Sequence, residues 1–113
     1  MPYHIQRLEK TLEREISNIL LNSKDERLRF VIITKVKLTR DLSIATVYYR
    51  IIGNDIQKES TAKNLVDAKG FIKTELSHKL IIRRIPEIIF KPDESLEYGE
   101  RIENIIKGFK KWV

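Results

Sequence analysis

The sequence predicts an α+β domain in which helices cover one face of a three-stranded sheet. Three observations carry that expectation. Apolar residues recur at three- and four-residue steps near the N-terminus and again from about Lys58 towards Leu80. Two β-branched and aromatic runs, "FVIITKVKLT" and "LSIATVYYRII", lie between those helical stretches. A third extended run, "EIIFK", follows Pro86. With 113 residues, the chain has enough material for a single core and too little for two, so residues 1–113 are expected to form one domain.

Taken in order, "YHIQRLEKTLEREISNILLN" is an amphipathic helix whose stripe is Ile5, Leu8, Leu12, Ile16, Ile19 and Leu20. Its outward residues, Glu9, Lys10, Glu13 and Arg14, read as a solvated charged face. In the first strand Ile32, Thr34, Val36 and Leu38 alternate with Ile33, Lys35 and Lys37, and one of the two sets is buried. In the second, Ala45, Val47, Tyr49 and Ile51 alternate with Thr46, Tyr48 and Arg50. Arg40-Asp41 fits the hairpin turn between them, and Gly53 to Asp55 the loop that follows.

The next helical pattern is interrupted around Ala68-Lys69-Gly70, although Leu65, Val66, Ile72 and Leu76 keep helical spacing across the break. Glycine inside a helix costs roughly 1 kcal/mol relative to alanine, so its presence there marks a bend. Pro86 opens the last strand and Pro92 closes it, since proline is tolerated at strand ends but not inside central strands. Ser95 is a suitable N-cap for a final helix with Ile102, Ile105, Ile106 and Phe109 on its buried stripe, and Trp112 caps the core edge. Phe71 is read as core.

Charge narrows the function. Twenty-two Lys and Arg against sixteen Asp and Glu give a formal +6 and a pI near 9.6, a balance that attracts polyanions, of which nucleic acid is the commonest. The excess is uneven. Residues 69–91 hold six cations against Glu75 and Glu87, a net of +4, whereas residues 92–106 carry five carboxylates against Arg101, a net of −4. The absence of cysteine removes disulfides, thiolate metal sites and cysteine nucleophiles, and suits a reducing compartment. No apolar run is long enough for a membrane span or a signal peptide.

Enzymatic constellations are thin. His4 and His78 are the only histidines and neither has metal-ligand spacing. There is no glycine-rich phosphate loop, and Asp93-Glu94 sits at a helix start, where negative charge complements the helix dipole. No catalytic residue, metal or cofactor is expected.

The order α-β-β-α-(kink)-α-β with a C-terminal helix is that of a type II KH-like domain. KH domains that bind single-stranded RNA carry a G-x-x-G loop between paired helices. Here the position reads Ala68-Lys69-Gly70. In that feature the sequence resembles the ribosome-binding factor A family, bacterial small-subunit assembly factors with an Ala-x-Gly kink. The resemblance runs from Arg7 to about Ile106. It covers "EREISNIL", the hairpin "DERLRFVIITKVKLTRDLSIATVYY", the kink and third strand in "AKGFIKTELSHKLIIRRIPEIIF", and the closing "DESLEYG" with "RI". Family members often have a longer basic lead and a charged tail, so contacts made by those extensions are not expected here.

The resemblance implies a cytoplasmic protein, a monomer when free, that binds the immature small (30S) ribosomal subunit through its rRNA. It further implies help in late maturation and 5′-end processing of that RNA, with most importance in the cold. Two alternatives stay open: a general KH-type single-stranded RNA binder and an RNA-processing enzyme. The expected RNA-binding residues are Lys69, Gly70, Lys73, Lys79, Arg83, Arg84 and Arg40. Gly70 is expected to let the backbone bend, Ala68 to keep the inside of the bend small, and Lys69 to face outward. Arg40 either touches RNA or bonds the Asp41 backbone. His78 is a minor addition to the patch. Lys35 and Lys37 read as solvated, and Tyr48 is either an ordinary exposed strand tyrosine or a platform for a base.

Overall fold

The computed structural model describes residues 2–95. Helix α1 (Pro2–Leu21) leads through a 3-10 turn (Glu26–Phe30) into strands β1 (Val31–Leu38) and β2 (Ile44–Ile51), then helices α2 (Asp55–Asp67) and α3 (Lys69–Lys79), then strand β3 (Glu87–Pro92). The expected last helix and Trp112 lie outside the described residues.

The stripe of α1 is buried as its periodicity dictates, with Leu12, Ile16 and Leu20 sealed from solvent. Burying each such side chain stabilises the fold by about 1.5–3 kcal/mol. Its charged face is less idle than expected. The Glu9 carboxylate accepts a hydrogen bond from the Leu38 amide at 2.8 Å, capping the open edge of β1. The 3-10 turn is stopped at its start by Asp25, whose carboxylate accepts from Arg27 N.

β2 is the central strand, antiparallel to β1 and parallel to β3. Parallel pairing follows from the long α2–α3 crossover, which returns the chain to the same end of the sheet. In β1 the expected burial is corrected: Val31 and Ile33 are buried at one end and Val36 at the other, while Ile32 is only half-buried. The reason is a bulge. Ile33 pairs with Tyr49 and Lys35 with Tyr48, leaving Thr34 as the extra residue, and the buried face changes phase across it. The Thr34 hydroxyl donates to Asp93 Oδ2, which ties the bulge to the end of β3. Asp93 also accepts from Ser95 N at 2.8 Å.

The hairpin loop is longer than two residues, running from Thr39 to Ser43. Asp41 Oδ1 accepts from the Thr39 hydroxyl at 2.8 Å, from Ser43 Oγ at 2.7 Å and from Ser43 N at 3.1 Å, and Leu42 takes a φ of 63°. Asp41 is therefore held by Thr39 and Ser43, not by Arg40. Those bonds depress the Asp41 pKa to about 2.

α2 begins at a capping box in which Asn54 and Gln57 exchange hydrogen bonds of 2.8 and 2.9 Å. Gly53 precedes it with φ +151°, and a Cβ there would lie 2.8 Å from Gln57 Oε1, so only glycine fits. Leu65, Ile72 and Leu76 from α2 and α3 join α1 and the inward strand residues Val36, Ala45, Val47 and Ile88 in one core. All three described helices therefore lie on one face of the sheet.

Candidate nucleic-acid interface

The break between α2 and α3 is made by Ala68. Its backbone N–H closes α2 on Asn64 O (3.0 Å) and Leu65 O (3.2 Å), while its carbonyl opens α3 by accepting from Ile72 N at 2.9 Å. With φ −81° and ψ −3° it turns the chain within a single residue, and its small, half-buried side chain packs against the core. Gly70 is not the bending residue. It lies in the first turn of α3 outside the left-handed region, exposed, and a Cβ there would meet nothing within 4 Å. A side chain at this position is permitted by the free domain, so what glycine leaves open is the approach to the α3 backbone.

Leu65, Ile72 and Leu76 stay in helical step across the break and are buried, so Phe71, one residue before Ile72, falls on the outside. It is 53% exposed, not core as its apolar character suggested. Val66, at the end of α2, is exposed to the same extent.

Lys73 reaches the first residue of β3, with Nζ 3.0 Å from Glu87 Oε2. Lys73 lowers the Glu87 pKa most, through that bond and its charge, and Lys69 and Arg84 act in the same direction through their charges. Three of the expected RNA-binding cations thus converge on one carboxylate, which stays ionised among them. The hairpin loop borders this cluster, because Glu87 N donates to Ser43 O at 2.8 Å. The topology therefore brings Arg40 to the same end of the sheet as the α3 cations. Arg83 is exposed in the α3–β3 connection beside Arg84. Lys79 points elsewhere, with Nζ 3.8 Å from Glu15 Oε2 of α1, and His78 is exposed on the outer side of α3.

Sequence reasoning missed Glu87 as part of the site. Lys73 and Glu87 are fourteen residues apart, and no local pattern joins a helix to the strand after it. Among the described residues no group of three or more His, Cys, Asp or Glu is placed to hold a metal ion. None of their helices is long and apolar enough to cross a membrane. What the cluster can do chemically is bind anions: two half-buried amines and an exposed guanidinium stand near a single exposed carboxylate.

These elements define a KH-like α+β domain in which a one-residue break with a cationic surround replaces the G-x-x-G loop. Within that class the chain belongs to the ribosome-binding factor A family, whose family model matches residues 4–106. A relative from Staphylococcus saprophyticus, named ribosome-binding factor A, is 46% identical over 112 residues, 98% of either chain. The crystal structure of ribosome-binding factor A from Thermus thermophilus superposes with a TM-score of 0.69 at 25% identity, covering 78% of this chain and 94% of that one. A homology model of the Thermus thermophilus factor, fitted into a cryo-EM map of its complex with 30S, gives a TM-score of 0.65 at 25% identity over 77% of this chain and 92% of that one.

Proposed function

We propose that this protein binds the immature small ribosomal subunit in the cytoplasm, through its rRNA, and assists the late maturation of that RNA. The observation that carries the reading is the convergence of Lys69, Lys73 and Arg84 at the helix break, beside the Arg40 turn, in a chain of this family. The open backbone at Gly70 lets a phosphate approach, and the cations neutralise it. No bond chemistry is needed. A factor that prefers one RNA arrangement shifts the population towards it, by as much as its affinities for the two arrangements differ. Productive 5′-end processing and growth in the cold then follow as consequences, since alternative RNA pairings persist longest at low temperature.

The test is sedimentation of tagged protein with immature small subunits, mature small subunits and large subunits. Preferential recovery with the immature particle is expected. Equal recovery with all three, or with naked single-stranded RNA of any origin, would replace this reading with a general RNA binder. Cells lacking the protein are expected to accumulate small-subunit rRNA with an unprocessed 5′ end in the cold.

A further inference from the structure

The described helices occupy one face of the sheet, and the strand alternation that turns Val36, Val47 and the half-buried Phe90 towards them sends other residues to the opposite face. There the register sets Lys35 opposite Tyr48 and Tyr48 opposite Lys91, so the tyrosine stands in a row between two lysines. The next row is Lys37, Thr46 and Ile89. Lys35, Lys37 and Lys91 are exposed, and none is ion-paired among the described residues. The Lys35 ammonium lies 4.5 Å from the centre of the Tyr48 ring. Glu9 and Glu13 of α1, which share a groove with Lys35, are already engaged by Leu38 N and Lys10.

We propose that this sheet face, built on Lys35, the half-buried Tyr48 and Lys91, is a second RNA-binding surface that stacks an unpaired base on Tyr48 and holds the flanking phosphates with the two lysines. Neighbouring strands are about 4.8 Å apart, so the lysine backbones stand roughly 10 Å apart across the ring, a spacing that brackets a base and its own backbone. Sheet faces with exposed aromatics are a recurring platform for single-stranded RNA. The present cation–π contact does not oppose this. Stacking a base on an aromatic is worth more than an exposed cation–π pair, and the displaced lysine becomes free for a phosphate. An acidic peptide would satisfy the lysines but leave the ring unused.

The helix-break cluster is centred on Glu87 at the start of β3, four residues along the strand from Lys91, and draws its amines from α3. The domain would hold two RNA segments at two points of the same sheet, a direct way to fix their relative position. This inference rests on rRNA being the partner, and its test separates the two surfaces. Full-length protein is photo-crosslinked to a short oligouridylate carrying 4-thiouridine and digested with trypsin. Cleavage after Arg40 and Arg50 releases Tyr48 within residues 41–50, and cleavage after Lys69 and Lys73 releases residues 70–73 of the break. Crosslinks on both peptides are expected. Tyr48→Ala should lower affinity about tenfold and remove the 41–50 crosslink alone. Lys91→Glu, an exposed change that leaves the ring in place, should lower affinity several-fold with an unchanged melting temperature.

Crosslinks confined to 70–73 would overturn the sheet-face proposal and leave the helix-break reading intact. Crosslinks confined to Tyr48 within residues 41–50 would do the reverse, those at Leu42 or Ser43 of the hairpin loop would count for the break cluster, and none on either peptide would overturn both. Displacement of the RNA by oligoglutamate as effectively as by unlabelled oligouridylate would also overturn the proposal, showing a general surface for acidic chains.

Discussion

Replacing Gly70 with alanine separates stability from binding, because the structure gives the two effects opposite signs. Gly70 lies in the first turn of α3, outside the left-handed region, and a Cβ would meet nothing within 4 Å. No strain or clash opposes the change, so it acts mainly by restricting the unfolded chain. At a compatible position that effect stabilises by roughly 0.4–1 kcal/mol. For a domain of this size the melting temperature should rise by about 2–5 °C. The same methyl group would stand on the exposed surface next to Lys69, where a phosphate backbone approaches. Association with immature small subunits should therefore weaken by about three- to tenfold, or roughly 0.7–1.4 kcal/mol. Thermal melts followed by circular dichroism and co-sedimentation at fixed salt measure the two quantities on one preparation. Glu59→Ala, on the exposed side of α2, is the control for a generic helix substitution. Loss of stability in Gly70→Ala would show that the backbone there needs glycine after all. A gain in stability with unchanged binding would show that nothing approaches α3 at this point.

Other outcomes follow from the same geometry. Glu87→Gln removes the one carboxylate among Lys69, Lys73 and Arg84, so affinity for the immature subunit should rise several-fold and the slope of log K against log salt should steepen by about 0.7, measured by salt titration. Ala68→Leu forces a larger side chain against the core at the break and should cost about 1–3 kcal/mol in urea denaturation. Asp93, whose carboxyl is held at about 2 chiefly by the Thr34 hydroxyl, has a folded pKa below its ordinary 3.8. Its contribution is present above that ordinary value and is lost as pH falls from about 5 towards 2. Thr34→Val should flatten the loss of stability in that window by on the order of 1 kcal/mol after solvent screening, read from urea midpoints at successive pH values.

The parts of this fold legible in the sequence are those set by local period. The stripe of α1 repeats without interruption, and every member from Leu12 to Leu20 is buried. Proline fixed both ends of β3, and the order of elements was readable because each is bounded by a turn or cap. The phase of β1 was not, since a period-two reading assumes no extra residue and Thr34 is one. Its signal was present: Val31 and Ile33 are out of step with Val36 and Leu38. Phe71 failed for a different reason: its apolar character suggested core, but it sits one residue before Ile72, off the stripe of Leu65, Ile72 and Leu76 that stays in step across Ala68. The composition of the cation cluster was legible from charge, but its shape was not. Glu87 enters it through the parallel return of β3, and Lys79 is drawn off by Glu15 of α1. Both are tertiary placements that no window along the chain contains.

If the cations around Glu87 hold rRNA in the immature particle, removing them must weaken that association. The most direct test is the binding of the double variant Lys73→Glu, Arg84→Glu to immature small subunits over a range of salt. The Lys73–Glu87 pair is exposed, so its loss should leave stability little changed, and circular dichroism should show the fold retained. If three cations each neutralise a phosphate, the parent should show a slope of log K against log salt near roughly −2. At least a tenfold loss of affinity is predicted for the variant, with a shallower slope. A folded variant that binds within twofold of the parent, with the same slope, would contradict this and place the rRNA contact on another surface.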